Sequence, residues 1–162
     1  MTRIAAVAVS MMLMAGAALA QGTNIAFGGL QHDTSLPVEV ASDNLQIDQA
    51  NGSASFSGNV LVTQGEMRLS AGAVRVVYAP GNAGQISELR ATGGVTLVNG
   101  AEAAEAREAV YSIDKGTVVM TGDVILTQGQ NALSSDTLTI DLNSGTGNLQ
   151  GRVRTVFQTG NN

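Results

Sequence analysis

From residue 38 to residue 157 apolar and polar side chains alternate with a period of two, in short runs. Ala54, Phe56, Gly58, Val60 and Val62 fall on one face, with Ser55, Ser57 and Asn59 on the other and Leu61 as an apolar exception. The same pattern returns at Val118, Met120, Gly122, Val124 and Leu126, opposed by Thr121 and Asp123, with Val119 and Ile125 as exceptions. It extends to Val38/Val40, Leu45/Ile47, Met67/Leu69, Val74/Val76/Tyr78, Val95/Leu97, Tyr111/Ile113, Leu138/Ile140/Leu142 and Val153/Thr155/Phe157. Turn signals separate the runs: Ala50-Asn51-Gly52, Pro80-Gly81-Asn82, Asn99-Gly100, Lys115-Gly116 and Asn143-Ser144-Gly145. The pattern predicts an all-β, antiparallel fold with one apolar and one mainly wettable face.

A repeat overlies this alternation. Ser57-Gly-Asn-Val-Leu-Val-Thr-Gln-Gly65 returns as Thr121-Gly-Asp-Val-Ile-Leu-Thr-Gln-Gly129, 64 residues later. Its Gly-x-Val core occurs at Gly58/Val60, Gly93/Val95, Gly122/Val124 and Gly151/Val153, which we treat as equivalent. Gly116/Val118 sits in a turn signal and Gly72/Val74 reads as the opening of a strand, so both are set aside. A glycine inside an alternating run predicts a strand with a kink or bulge. One segment disagrees with the β reading: Ala101 to Val110 has the highest helix propensity downstream of residue 20, with Glu102, Glu105 and Glu108 three residues apart. Its end reads as strand, because Tyr111-Ser112-Ile113-Asp114 resembles Leu45-Gln46-Ile47-Asp48; its start is left open between helix, turn and strand.

The first twenty residues read as an export leader. Arg3 precedes an apolar run from Ile4 to Met14, and Ala18-Leu19-Ala20 is a small-x-small cleavage site before Gln21. A retained anchor is the competing reading, but the run is short for a bilayer, which needs about 20 apolar residues. The expected organisation is residues 1–20 as a cleaved signal peptide, 21–32 as a flexible mature N-terminus, 33–158 as one β domain and 159–162 as a short tail, in an exported, periplasmic protein. Twenty glycines, 3% aromatic residues and no cysteine describe a turn-rich β protein stabilised without disulfides. The net charge of −5 argues against a nucleic-acid partner.

Catalytic chemistry has little to stand on. His32 is the single histidine and reads as a solvated residue, so no histidine-pair metal site can be built and no metal or cofactor is expected. The three glutamates read as a solvated face, and Gly28-Gly29 and Gly93-Gly94 lack the Lys-Ser or Lys-Thr of a phosphate loop. No catalytic residue is assigned, and the protein is not expected to be an enzyme. For any single valine or leucine of the apolar face, an ordinary sandwich core is the plainer reading. Collectively, Val, Leu, Ile, Ala and Met with few aromatics make a lining suited to alkyl chains, each buried methylene of which gains about 0.8 kcal/mol. By parity that lining comprises Phe56, Val60, Val62, Val95, Leu97, Tyr111, Ile113, Val124 and Leu126.

Asp33-Thr-Ser-Leu-Pro-Val-Glu-Val-Ala-Ser-Asp43, Ile47-Asp48, Phe56-Ser-Gly-Asn-Val-Leu-Val-Thr-Gln-Gly65 and Ala71-x-x-Val-x-Val occur in order. In these pieces the chain resembles the OstA-like lipopolysaccharide-transport family, and its periplasmic bridge members most. The resemblance runs from about Asp33 to Phe157. It implies an open, V-shaped β-jellyroll whose interior groove binds lipid A. It further implies a bridge between an LptC-like inner-membrane component and an LptD-like outer-membrane component. The family's lipid-contacting N-terminal strand maps onto Thr34, Val38 and Val40, and its central Tyr-x-Leu onto Tyr111 and Ile113. The loop from Tyr78 to Ile86 is short and the basic tail of some members has no counterpart in Thr159-Gly-Asn-Asn162, which leaves outer-membrane docking open. Two edges, Val38, Glu39 and Val40 at one end and Val153, Thr155 and Phe157 at the other, carry no closing proline within the strand and predict a head-to-tail homo-oligomer. The alternatives are an inner-membrane-anchored relative, a free copy of the outer-membrane partner's N-terminal domain, and a structural or adhesive β-solenoid. Copies of Gly-x-Val spaced 35, 29 and 29 residues apart are too irregular for the solenoid.

Overall fold

The computed structural model describes residues 23–26, 30–82 and 84–157. These form thirteen antiparallel strands: β1 Thr23–Ala26, β2 Glu39–Ala41, β3 Asn44–Asp48, β4 Ser53–Gln64, β5 Met67–Tyr78, β6 Ile86–Thr92, β7 Val95–Asn99, β8 Glu102–Ala106, β9 Glu108–Ser112, β10 Thr117–Gln128, β11 Asn131–Asp141, β12 Thr146–Gln150 and β13 Arg154–Val156. The expected leader, residues 1–20, and the tail, residues 159–162, lie outside the described residues.

The pairings resolve this sheet into two layers joined along a crease. Layer A runs β3, residues 53–57 of β4, 73–78 of β5, β6, β9, 117–121 of β10, 137–141 of β11, β12 and β1. Layer B runs β2, residues 60–64 of β4, 67–71 of β5, β7, β8, 124–128 of β10, 131–135 of β11 and β13. Strands β4, β5, β10 and β11 pass through both layers, so this is one sheet folded over on itself: the β-jellyroll expected from the alternation.

Each Gly-x-Val copy lies on the crease. The β4–β5 register slips between Ser57 and Val60, and the β10–β11 register slips between Thr121 and Val124. Gly58 at φ 78° and Asn59 at φ 47° make the first bend; Gly122 and Asp123, at 85° and 48°, make the second. A Cβ on Gly58 would lie 2.6 Å from the Asp43 carboxylate, whose Oδ2 accepts a 2.8 Å bond from Asn59 Nδ2. Gly93-Gly94 joins β6 to β7, and Gly151 joins β12 to β13. Gly72 does not open a strand. It lies within β5 on the same crease, its α-carbon packed against Gly93, where a Cβ would come 3.1 Å from the Gly93 carbonyl oxygen. Three polar pairs mark the outer side of the crease: Asp43 with Asn59, Arg107 with Asp123, and Asp136 with Arg152.

One open reading is decided and one expectation is corrected. Ala101 to Val110 contains no helix; it is β8 and β9, separated by a crease residue, Arg107, whose amide bonds the Gly122 carbonyl at 3.0 Å. Pairing with β7 on one side and β10 on the other overrides local propensity, and it turns Glu102 inward to accept a 2.8 Å bond from Gln128. Residues 21–32 are not wholly a loose lead-in: Thr23–Ala26 pairs with β12, and Leu30 is buried. The five turn signals all fall at strand connections.

Candidate lipid-binding interior

The inward faces of the two layers form one hydrophobic cluster. Layer A supplies Val74, Val76, Leu89, Tyr111, Val118, Met120, Leu138 and Ile140; layer B supplies Val60, Val62, Leu69, Leu97, Val124, Leu126 and Leu133. Of the residues expected to line a groove, Val60, Val62, Val95, Leu97, Tyr111, Val124 and Leu126 are each no more than 2% exposed. Val38, Val40, Phe56 and Ile113 are half-buried and pack against the same cluster. The parity reading therefore places these side chains together, as a filled core.

The side opposite the crease is closed by a strap, residues 30–36, running between β1 and β2. It ties first to the layer A rim: the His32 amide donates to the Leu142 carbonyl at 2.9 Å, and Gln31 Nε2 to the Asn143 carbonyl at 3.2 Å. It then ties to the layer B rim through Gln64, at the end of β4. Gln64 Nε2 donates to the carbonyls of Thr34 and Leu36 at 3.0 and 2.8 Å, and its Oε1 accepts the Tyr111 hydroxyl at 2.8 Å. Gln64 and Tyr111 are each 1% exposed and stand in different layers, so this bond crosses the interior. Burial pushes the Tyr111 hydroxyl up from 10.0 to about 12, a rise that the Gln64 bond opposes. Leu30, 1% exposed, belongs to the interior cluster, so part of the strap is itself core.

Parity drew attention to Tyr111 but not to Gln64, because a glutamine at a strand end reads as polar rim. His32 is half-buried in the strap, not fully solvated, because it lies against Gly65 where the two rims approach. Thr34 meets the layer B rim through its carbonyl oxygen. Among the described residues no group of three or more His, Asp or Glu could hold a metal ion.

The two ends of the folded sheet differ from its middle. At the β2/β3 end, Leu45 and Ile47 share the inward parity of their partners Phe56 and Ala54 yet are 53% and 65% exposed. At the other end, Val153 and Phe157 flank β13 and are 39% and 70% exposed. The expected edges are edges of layer B: among the described residues β2 pairs only with β4 and β13 only with β11. Val38 lies just before β2, and Val153 and Phe157 just outside β13.

Residues 39–146 match the family model described as LptA/(LptD N-terminal domain) LPS transport protein. The chain belongs to that family. Among its relatives, an uncharacterized protein of Rhizobium meliloti is 32% identical over 88% of this chain and 82% of that protein. The lipopolysaccharide export system protein LptA of Escherichia coli K12 is 30% identical over 66% of this chain; the match spans 60% of that protein. The crystal structure of Pseudomonas aeruginosa LptH, the LptA homologous periplasmic component of the conserved lipopolysaccharide transport device, superposes with a TM-score of 0.70 at 19% identity. The superposition covers 78% of this chain and 98% of that one, and shows the shared fold. As a member of this LPS transport family the chain is a folded jellyroll, not a solenoid of stacked coils: its repeat copies lie side by side along one crease instead of on successive turns.

Proposed function

We propose that this protein carries lipopolysaccharide through the periplasm, holding lipid A acyl chains between its two layers. It would act as a bridge between an LptC-like component at the inner membrane and an LptD-like component at the outer membrane. One observation carries the reading: in a chain of the LPS transport family, an aliphatic interior runs to two sheet ends where apolar side chains stand exposed. Mainly aliphatic walls suit alkyl chains, and about 0.8 kcal/mol per buried methylene makes even half a fatty chain worth about 4 to 6 kcal/mol. Capture at that strength still permits handover.

The inward side chains of both layers form one buried cluster, so acyl chains must part the layers to enter. The strap is where parting is easiest: a few hydrogen bonds close that side, whereas continuous strands join the layers at the crease. The unpaired edges of β2 and β13 each offer backbone donors and acceptors to another strand. Pairing β2 of one copy with β13 of the next would be heterologous and would propagate, lining up successive interiors into one dry path.

Photo-crosslinking side chains at the half-buried Val38, Val40, Phe56 and Ile113 should capture lipopolysaccharide, and those at Asn59 and Asp123, outside the crease, should not. Equal capture on both faces would remove the interior as the binding site. For stacking, cysteines at Val40 and Thr155 of this cysteine-free chain should give disulfide ladders only when both are present. A double variant that stays monomeric at high concentration while binding lipid would replace the bridge with a diffusing shuttle.

A further inference from the structure

The outward face of layer A carries a polar trough that transport of acyl chains does not use. Strand register tiles it in two rows: Asn44, Ser57, Ala73, Thr92, and next to them Gln46, Ser55, Arg75, Arg90. The small side chains of Ser55, Ser57 and Ala73 form the floor of a hollow of about 530 Å³, walled by the longer Gln46, Arg75 and Arg90. Both arginines also line an adjoining hollow of about 240 Å³ with Asn51, Ser53 and Val77.

Arg75 and Arg90 stand directly opposite each other on neighbouring strands. Like charges in that position disfavour the sheet, and the chain has only eight Lys and Arg in all. The fold does not require them. The 64-residue repeat brings Arg75 onto Thr139, whose cross-strand partner in β12 is Asn148, and the same layer forms there without a guanidinium. Nearby carboxylates leave capacity unused. Glu88 engages Arg90, and Asp48 lies near enough to feel Arg75. Arg75 itself makes no ion pair within 4 Å among the described residues and donates only a long 3.4 Å bond to the Ser53 hydroxyl. Most of the five N–H donors of an exposed guanidinium remain open to a ligand.

We propose that this trough binds a saccharide bearing a phosphate or carboxylate, with the anion between Arg75 and Arg90 and sugar hydroxyls on Gln46, Ser55, Ser57 and Thr92. Guanidinium forks match phosphate and carboxylate oxygens in bidentate fashion, and amides and hydroxyls exchange hydrogen bonds with sugar hydroxyls. Phe56 also borders the hollow but packs its side chain against the interior cluster, so the charged and hydroxyl contacts offered to a ligand are exposed and weakened by salt. The position suits the head group of an amphiphile. β3 is an edge strand that presents Asn44 and Gln46 to the trough and the exposed Leu45 and Ile47 to the opposite face, with Leu45 itself bordering the hollow. A lipid whose chains occupy that end of the interior could lay its sugars around β3. This last step rests on the carrier reading; the trough's own affinity does not.

The test is a backbone-amide NMR titration with a deacylated, phosphorylated lipopolysaccharide oligosaccharide, run beside a neutral oligosaccharide and inorganic phosphate. The charged oligosaccharide should shift amides at 44–46, 55–57, 73–75 and 90–92, and bind about tenfold or more tighter than either control. Arg75→Gln combined with Arg90→Gln should remove that advantage while leaving the melting temperature in place. Absence of shifts, shifts centred elsewhere, or unchanged binding by the double variant would overturn the proposal. Inorganic phosphate binding as tightly as the oligosaccharide would overturn its saccharide part. Intact lipopolysaccharide separates the sources: joint shifts of the trough and of interior residues identify its head group, whereas interior shifts alone leave a free anionic glycan as the ligand. Intact lipopolysaccharide that moves no interior residue would sink the carrier reading, with the trough still judged by the oligosaccharide.

Discussion

Replacing Gln64 with leucine tests what holds the two layers closed. The substitution keeps the volume and removes three hydrogen bonds: two to the strap carbonyls of Thr34 and Leu36 and one from Tyr111. Leu36 is exposed and Thr34 half-buried, so water can replace most of what their carbonyls lose. The Tyr111 hydroxyl has no such recourse, since the residue is 1% exposed. Leaving a buried hydroxyl unpaired costs about 1 to 3 kcal/mol, and each lost bond to the strap about 0.5 to 1.5 kcal/mol. Greater apolar burial by leucine offsets about 1 kcal/mol. The expected destabilisation is about 3 kcal/mol, which for a chain of this size lowers Tm by about 6 to 12 °C. Tyr111→Phe alone strands only the amide oxygen and should cost about 1 to 2 kcal/mol. Because the double variant leaves no unpaired hydroxyl, its cost should fall short of the sum of the singles by about 1 kcal/mol or more. Urea unfolding of the four proteins gives the cycle directly, and hydrogen exchange should report faster opening at the His32 amide, which bonds Leu142. A Gln64→Leu variant as stable as the parent, or strictly additive singles, would refute the claim that this bond ties the layers together.

The strap gives a second test: with cysteines at Gln31 and Asn143, oxidation should block uptake of lipopolysaccharide and reduction restore it, and equal binding in both states would place the entry elsewhere. At the crease, Gly58→Ala should cost about 1 to 2 kcal/mol for its left-handed backbone and more for displacing Asp43. Gly52→Ala, at φ 56° with open space around it, should bear only the backbone part, as thermal melts of the two variants would show. Acid should destabilise the fold only below about pH 4. Hydrogen bonds from Asn51 to Asp48 and from Arg152 to Asp136 hold these carboxyls below their ordinary 3.8, so their contribution is complete above that value and lost as pH falls through the lower folded values. In alkali the sign reverses: Tyr111 is buried neutral, so stability holds below pH 10.0 and falls by about 2 kcal/mol by about pH 12, a loss that Tyr111→Phe should abolish in a Tm-against-pH series.

Much of the architecture was legible because a strand's period of two is written locally. Parity gathered Val60, Val62, Val124 and Leu126 onto one face, and those side chains are core. The Gly-x-Val copies announced kinks, since left-handed backbone and a missing Cβ are properties of the residue itself. Local information could not decide what depends on a partner strand or an opposite layer. Glu102 to Ala106 has helix propensity, but two flanking strands claimed its backbone. Gly72 resembled a strand start until Gly93 came to lie against its α-carbon. Gln64 meets Tyr111 across 47 residues of sequence, and Arg75 meets Arg90 only through the β5–β6 register. The sequence by itself determined the alternation, the turns and the creases, because each is set by a residue's own backbone preference and side-chain polarity. Only the tertiary structure decided the strap, the bond across the interior and the arginine trough, because each is a meeting of groups whose spacing along the chain carries no energy until the sheet folds over.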